Sequence, residues 1–272
     1  MKSAGNYQIC QITKTTNQNR ETVIMEVHHH PNVERKNPRE YFLEFIMIFL
    51  AVTMGFFAES IREHLADSSK EKQYAKSMIA DLKNDTAMLN EVIGVNINRI
   101  SGIDTLSSLL NKTPLTDDDE KRLYVLNRRY ASNVSSMVWS DGTIRQLLTS
   151  GNLRLMNEQG VSDSIMNYYG PNKDEATGQA DILFEAVKRV YFASEDIFDR
   201  SFLKDNLNKD SSFVSKPMPD TMRILTTEKT VLKKYSQMVL TTEGLINNYL
   251  SMLFHMRNRA DGLLHFLQAN YE

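Results

Sequence analysis

The chain has 272 residues, of which 41% are hydrophobic and 24% charged, and it carries a formal net charge of −2 at pH 7. This balance supplies one ordinary core but no strongly basic face, so we expect no nucleic acid among the partners. Cys10 is the single cysteine, which excludes a disulfide within the chain.

The first 38 residues form a polar tail without sustained periodicity, for which we predict little fixed structure. The tail contains His28, His29 and His30, whose side chains would point in different directions on a regular element. A solvated run is therefore favoured over a metal site. Met25 opens a more distinctive stretch and is an alternative start of translation.

The next segment is apolar enough to cross a membrane. Residues 41–58 hold one charge, Glu44, and residues 39–61 as a helix match the roughly 30 Å hydrocarbon thickness of a bilayer. Glu44 lies within one turn of the start, where it can reach the headgroups; a proton or ion relay is the alternative. Ala51 and Gly55 form a small-xxx-small pair, which predicts self-association of the span.

Charges on either side of the predicted span indicate its orientation. Arg35, Lys36 and Arg39 precede the span, whereas Arg62 follows it among acidic residues. Basic flanks stay on the cytoplasmic side of a membrane. We therefore expect a single pass with the N-terminus cytoplasmic and residues 62–272 on the far side of the membrane, which for the inner membrane of a bacterium is the periplasm.

A long amphipathic helix should follow the span. After the span no proline occurs until Pro114, and apolar residues recur at helical spacing through residues 78–110. Joined to the span, this helix would form a rod of about 70 residues and roughly 105 Å. Asp85 and Asn96 interrupt a strict coiled-coil seam, which favours packing against other helices of the same chain.

A capping-box pattern of Thr116 and Asp119 predicts the start of the next helix. The acidic run here lacks the spaced ligands and central glycine of a calcium loop, so capping is favoured over calcium binding. The buried face of this helix should consist of Leu123, Leu126, Tyr130, Val134 and Met137.

Two short helices are predicted within residues 143–170. The first should end at Gly151, which suits a left-handed C-cap, and the second should start at Asn157 and end at Gly170. Ser150 is a conceivable nucleophile, but neither the glycine pattern of a nucleophile elbow nor a His-plus-acid pair accompanies it.

Three motifs resemble those of an uncharacterised family of bacterial single-pass membrane proteins. They are Glu40-Tyr41-Phe42-Leu43-Glu44-Phe45, Glu59-Ser60-Ile61-Arg62-Glu63 and the signature Leu147…Ser150-Gly151-Asn152-Leu153-Arg154-Leu155…Tyr168-Tyr169. The similarity covers residues 26–170. It implies an N-terminal anchor and a helical extracytoplasmic domain, and it brings no activity or catalytic residue.

The C-terminal part predicts two helices around a loop. Residues 174–203 should form a core helix with a broad apolar face that includes Ile182 and Tyr191. Residues 204–220 are the longest predicted loop, and a last helix should run from residue 227 to the end. Its length matches that of the first long helix, so the two are expected to pair antiparallel.

No pattern predicts catalysis, a cofactor or a metal. The chain has no HExxH motif, glycine-rich phosphate loop or paired cysteines, and His255 and His265 would not share a helix face. Tyr168, Tyr169 and Tyr249 are candidates for a pocket or interface between helices, with core packing as the alternative.

These patterns predict an all-α protein, in which one transmembrane helix precedes a bundle with two long antiparallel helices. The function they favour is a non-enzymatic, membrane-anchored interaction or scaffold protein. Its expected partners are the membrane, an envelope protein and further copies of the chain. The alternative is a ligand-sensing ectodomain that signals through the membrane helix to a partner protein.

Overall fold

The computed structural model describes residues 37–156, 160–201 and 221–272, and every regular element in these residues is helical, as predicted. The α-helices are α1 (Pro38–Leu110), α2 (Asp117–Leu126), α3 (Gly142–Thr149), α4 (Val161–Tyr169), α5 (Pro171–Ala193) and α6 (Lys229–Tyr271). Short turns of π-helix or 3₁₀-helix follow α2, α3 and α5, at Asn127–Ala131, Asn152–Leu155 and Ser194–Asp196.

The chain divides into two compact units, Met1–Phe57 and Ala58–Glu272. The described part of the first unit is the beginning of α1, which includes most of the predicted span. The buried apolar core belongs to the second unit, since every core residue lies between Ala75 and Leu267.

Helix α1 has 73 residues and continues through Gly94 and Gly102, as predicted. Gly102 is required by packing, because a Cβ added there would lie 2.1 Å from Cγ of Tyr130. The buried apolar stripe of α1 consists of Ala75, Met78, Ile79, Leu82, Leu89, Val92, Ile93, Ile103, Leu106, Leu109 and Leu110. The helical periodicity in the sequence identified most of these core positions, but Ile97, which the same spacing assigned to the stripe, is 48% exposed.

Helices α1 and α6 run antiparallel in the second unit. The hydroxyl of Tyr271 donates to Oε1 of Glu71 at 2.6 Å, and the hydroxyls of Ser107 and Ser236 are 2.9 Å apart. Between these two contacts the residue number increases by 36 on α1 and decreases by 35 on α6. The two helices therefore run in opposite directions. Over this length, about 54 Å at 1.5 Å per residue, the helices form the long axis of the core.

Two predicted helix ends are confirmed by their cap geometry. The Thr116 hydroxyl accepts the N–H of Asp119 at 3.2 Å, and the Asp119 carboxylate accepts the N–H of Thr116 at 2.9 Å, which completes the capping box. Gly151 has a φ of 68°, in the left-handed region expected of a C-cap glycine. Asn157 lies outside the described residues, and α4 begins after Gly160.

The helix predicted from residue 116 onward is interrupted, which is a correction. Helix α2 ends at Leu126, and after the π-helical turn residues 132–141 form a segment without regular secondary structure, the irregular segment. Val134 and Met137 therefore do not share a helix face with Leu123. All three residues still contribute to the core, since Val134 packs against the buried cluster that contains the other two.

The physical reason is that polar side chains of α1 and α6 bind the backbone of this region. The contacts are Arg99 Nε to the Tyr130 carbonyl (3.2 Å), Asn96 Nδ2 to the Ser135 carbonyl (2.9 Å), the Met137 N–H to the Tyr249 hydroxyl (3.0 Å) and the Ser140 N–H to Asp85 (2.8 Å). Backbone groups that are partly buried need such partners. The side chains therefore replace the hydrogen bonds that a helix would have formed.

The C-terminal helices are close to their predicted positions. Helix α5 covers Pro171–Ala193 and is followed by a 3₁₀ turn, so it ends ten residues before the predicted end at residue 203. The predicted loop 204–220 lies outside the described residues. Helix α6 starts at Lys229, two residues later than predicted.

Candidate functional site

The apolar start of α1 is uncovered in this chain. Its large side chains are exposed, Phe42 at 63% and Phe56 at 73%, and none of the most apolar 18-residue window is buried. Such a surface is unfavourable in water and favourable in hydrocarbon. Helix α1 thus contains a segment that is long and apolar enough to cross a membrane.

Ala51 and Gly55, the predicted self-association pair, lie one turn apart on this exposed segment. A Cβ added at Gly55 would meet no atom of the chain within 4 Å. The small-residue face is therefore open, and self-association through it stays a prediction.

A buried polar centre lies in the second unit, where Asp85 of α1, Ser140 of the irregular segment and Tyr168 of α4 meet. Asp85 is 0% exposed. Its Oδ1 accepts the N–H of Ser140 and its Oδ2 accepts the hydroxyl of Tyr168, both at 2.8 Å. Burial raises the pKa of Asp85, although these two hydrogen bonds act in the opposite direction. A single carboxylate thus joins three elements of the fold.

Aromatic rings surround the buried polar centre. The ring of Tyr168 packs edge-on against Tyr169 at 4.7 Å and against Trp139 at 6.2 Å between centroids. Burial, followed by the nearby charge of Asp85, raises the pKa of both tyrosines. The buried hydroxyl of Tyr169 has no hydrogen-bond partner among the described residues. Both phenols therefore stay protonated at neutral pH, and Tyr168 acts as a donor.

An ion pair between Asp141 and Lys173 lies beside this centre. Their side chains are only 17% and 14% exposed. The Lys173 ammonium is also 5.9 Å from the ring centre of Tyr169, which is within the range of a cation–π contact. The pair therefore links the beginning of α5 to the residue that precedes α3.

Tyr249 of α6 contacts the irregular segment. It is buried, and its hydroxyl accepts the Met137 N–H. Tyr168 and Tyr169 thus lie together, whereas Tyr249 contacts the chain three residues before Ser140. All three predicted tyrosines pack in the core, and a ligand role for them stays a prediction.

The geometry of the buried polar centre suits the joining of helices better than chemistry on a solute. Asp85 and Tyr168 are each at most 1% exposed, so no solute reaches the carboxylate directly. Ser150 is exposed, and its hydroxyl donates to the Gln146 carbonyl at 2.7 Å. Among the residues that the structure describes, no group of His, Cys, Asp or Glu has the arrangement of a metal site.

Arg99 is a second buried charge that sequence reasoning missed. It is 3% exposed, and its Nε and Nη1 donate to the Tyr130 carbonyl and to Asn96, while Nη2 has no partner in the part of the chain that the structure describes. Burial lowers the pKa of Arg99 to about 10. The signal in the sequence was a set of polar residues, Asp85, Asn96 and Arg99, within an otherwise apolar stripe.

An open groove of about 530 Å³ lies between α5 and α6. The Gln179 side chain donates to the Leu245 carbonyl at 3.4 Å, and the rings of Phe198 and Tyr235 are 6.1 Å apart, so the two chain directions are opposite here. The apolar residues of the groove are Ile182, Ala186, Val190, Met238 and Leu245. Ile182 is 55% exposed, although the sequence predicted a core position for it.

Comparisons of this chain with protein-family models, with curated proteins and with solved structures gave no match. The features of the described chain that bear on its function are the exposed apolar segment, the buried polar centre and the α5–α6 groove.

Proposed function

We propose that this chain is a membrane-anchored helical interaction or scaffold protein of the bacterial envelope. The observation that carries the proposal is the exposed apolar segment at the start of α1, which needs an apolar environment that the rest of the described chain does not supply. The resemblance of the motifs in residues 26–170 to a family of single-pass membrane proteins agrees with this assignment.

The anchor would be a single span of residues 39–61 in the inner membrane. The basic residues Arg35, Lys36 and Arg39 favour a cytoplasmic N-terminus, so the helical domain 62–272 would be periplasmic. The partners in this proposal are the membrane, an envelope protein and further copies of the chain that associate through Ala51 and Gly55.

The surface of α5 supports an interaction function. Ile182 and Phe192 are both more than half exposed, and they lie within three turns on neighbouring sides of this helix. Exposed apolar residues that are grouped in this way are typical of protein-interaction sites.

Alkaline carbonate extraction of membranes tests the anchor. The full chain should stay with the lipid and be released by detergent. The variant Leu50→Glu/Met54→Glu, with two charges at the centre of the predicted span, should leave the membrane fraction because such charges are costly in hydrocarbon. Carbonate-extractable wild-type protein would contradict the anchor.

Photo-crosslinking in intact cells tests the interaction function. A photoreactive residue in place of Phe192 should give a discrete adduct with one envelope protein, whereas the same residue in place of exposed Lys83 on α1 should not. If positions along α5 gave no adduct beyond those of the control, the scaffold assignment would be wrong.

A further inference from the structure

We infer that the α5–α6 groove binds an amphipathic helix of a partner protein, with basic residues facing Asp181 and Glu185 and an acidic residue facing Arg189. This inference rests on the proposed interaction function and specifies the partner's chemistry.

The shape of the groove suits a helix. Two antiparallel helices form its walls, and its floor contains the small residue Ala186 and the buried Val190. Ile182 and Leu245 flank one end, and Met238 lies toward the other. A helix that presents one apolar residue per turn fills such a furrow, which is a common mode of peptide recognition.

The charges along the α5 edge identify the occupant. Asp181, Glu185 and Arg189 are spaced by four residues, so they lie on one side of the helix at intervals of about 6 Å. Asp181 and Arg189 form no ion pair within the described part of the chain, and Glu185 has only an exposed contact of 3.4 Å with Lys188. The row is therefore available to a partner with the opposite charges in the same order.

The charge row also favours a different protein over a second copy of this chain as the occupant of the groove. Two α5 helices that packed side by side in parallel would bring Asp181, Glu185 and Arg189 each opposite its own copy, which is repulsive. Two copies packed antiparallel would pair Asp181 with Arg189 twice but would still oppose Glu185 to Glu185, so only two of the three positions along the row would be matched. A partner helix with two cations and one anion at matching spacing satisfies all three positions.

Synthetic peptides provide the probe. We would use fluorescent 18-residue helical peptides with leucines at helical spacing and the charge row Lys-Lys-Glu, spaced by four residues, on one edge. A second peptide with the order Glu-Lys-Lys covers the opposite direction of binding. Each has a matched peptide with all three charges reversed, and binding to the full chain in detergent is measured by fluorescence anisotropy.

One of the two designed peptides should bind about tenfold more tightly than its charge-reversed match, because three exposed ion pairs each contribute modestly. Ala186→Phe should weaken binding at least tenfold by filling the groove. Phe184→Asp is the matched control: Phe184 is 53% exposed on the same helix but does not line the groove, so binding should not change.

The decisive variant is Asp181→Lys/Glu185→Lys/Arg189→Glu, which should invert the preference and bind the charge-reversed peptide more tightly. Equal binding of both peptides, or binding that Ala186→Phe leaves intact, would overturn the inference. A dimer of the full chain that Ala186→Phe dissolves would assign the groove to a second copy instead. Failure of the peptides would leave carbonate extraction and the adduct at Phe192 unaffected, so the proposed function is tested separately.

Discussion

Replacement of Asp85 tests whether the buried polar centre stabilises the fold. Asp85→Ala removes the acceptor of two hydrogen bonds, one from the fully buried Tyr168 hydroxyl and one from the half-buried Ser140 N–H. Asp85→Asn keeps the shape of the side chain and one acceptor oxygen. The Tyr168 hydroxyl can turn and accept from the new amide.

The expected cost of Asp85→Ala follows from these donors. A buried donor that loses its acceptor costs about 1–3 kcal/mol, and Ser140 costs less because water reaches it in part. We therefore expect a loss of about 2–4 kcal/mol in the free energy of unfolding, a large share of the 5–15 kcal/mol typical of a domain. Asp85→Asn should change this free energy by less than about 1 kcal/mol at neutral pH.

The pH dependence of the two proteins should differ. Burial raises the pKa of Asp85 in the folded state above its value of about 3.9 in the unfolded chain. The corresponding stabilisation is complete below about pH 3.9 and is lost as the pH rises through the folded-state pKa. Wild-type protein should thus gain stability relative to Asp85→Asn as the pH falls from 7 toward 4.

Urea unfolding followed by tryptophan fluorescence measures these effects, because Trp139 is the only tryptophan and its ring is 6.2 Å from that of Tyr168. Asn84→Ala, at the neighbouring exposed position of α1, is the control and should unfold like the wild type. If the free energy of unfolding of Asp85→Ala is within about 0.5 kcal/mol of that of the control, the buried polar centre does not stabilise the fold.

Four further substitutions test individual features of the chain. Thr116→Ala should lower the free energy of urea unfolding by about 1 kcal/mol through loss of the cap, and an unchanged midpoint would contradict the cap's contribution. Gly102→Ala should destabilise the fold by about 1–3 kcal/mol because the new Cβ meets the Tyr130 ring. At Gly94 a Cβ meets no atom, so Gly94→Ala should stabilise the fold by about 0.5–1 kcal/mol. Equal effects of the two variants in thermal melts would contradict this difference. Gly55→Leu should weaken self-association in membranes, and unchanged crosslinking would exclude the small-residue interface.

Helical periodicity predicted the long helices because apolar residues recur at helical spacing along their buried faces. Apolar residues at spacings of three and four fixed the buried stripe of α1, and the local chemistry of Thr116 and Gly151 fixed two helix ends. These signals are local, so no knowledge of tertiary contacts was needed.

The irregular segment 132–141 could not be predicted in this way. Its apolar residues Val134 and Met137 have helical spacing. Its backbone conformation is nevertheless determined by hydrogen bonds with the side chains of Asp85, Asn96 and Tyr249 on other elements of the fold. The polar residues of α1 were visible in the sequence. Their partners were not visible, because Ser135 is 39 residues from Asn96 along the chain and Ser140 is 55 residues from Asp85.

The groove was missed for a different reason. The apolar face of α5 is broader than one packing contact requires, so sequence reasoning assigned all of it to the core. In the fold, Val187 faces the core while Ile182 and Tyr191 remain exposed. An apolar face wider than a single stripe is thus the signal for a second surface on one helix.

Thiol labelling tests the central claim, a helical domain anchored outside the cytoplasm, most directly. Cys10→Ser removes the natural thiol, and Ser251→Cys places one at an exposed position of α6. Intact cells are then treated with a reagent that reaches the periplasm but does not cross the inner membrane. A periplasmic helical domain should be labelled in intact cells. Labelling only after lysis would place the domain in the cytoplasm and contradict the proposed orientation.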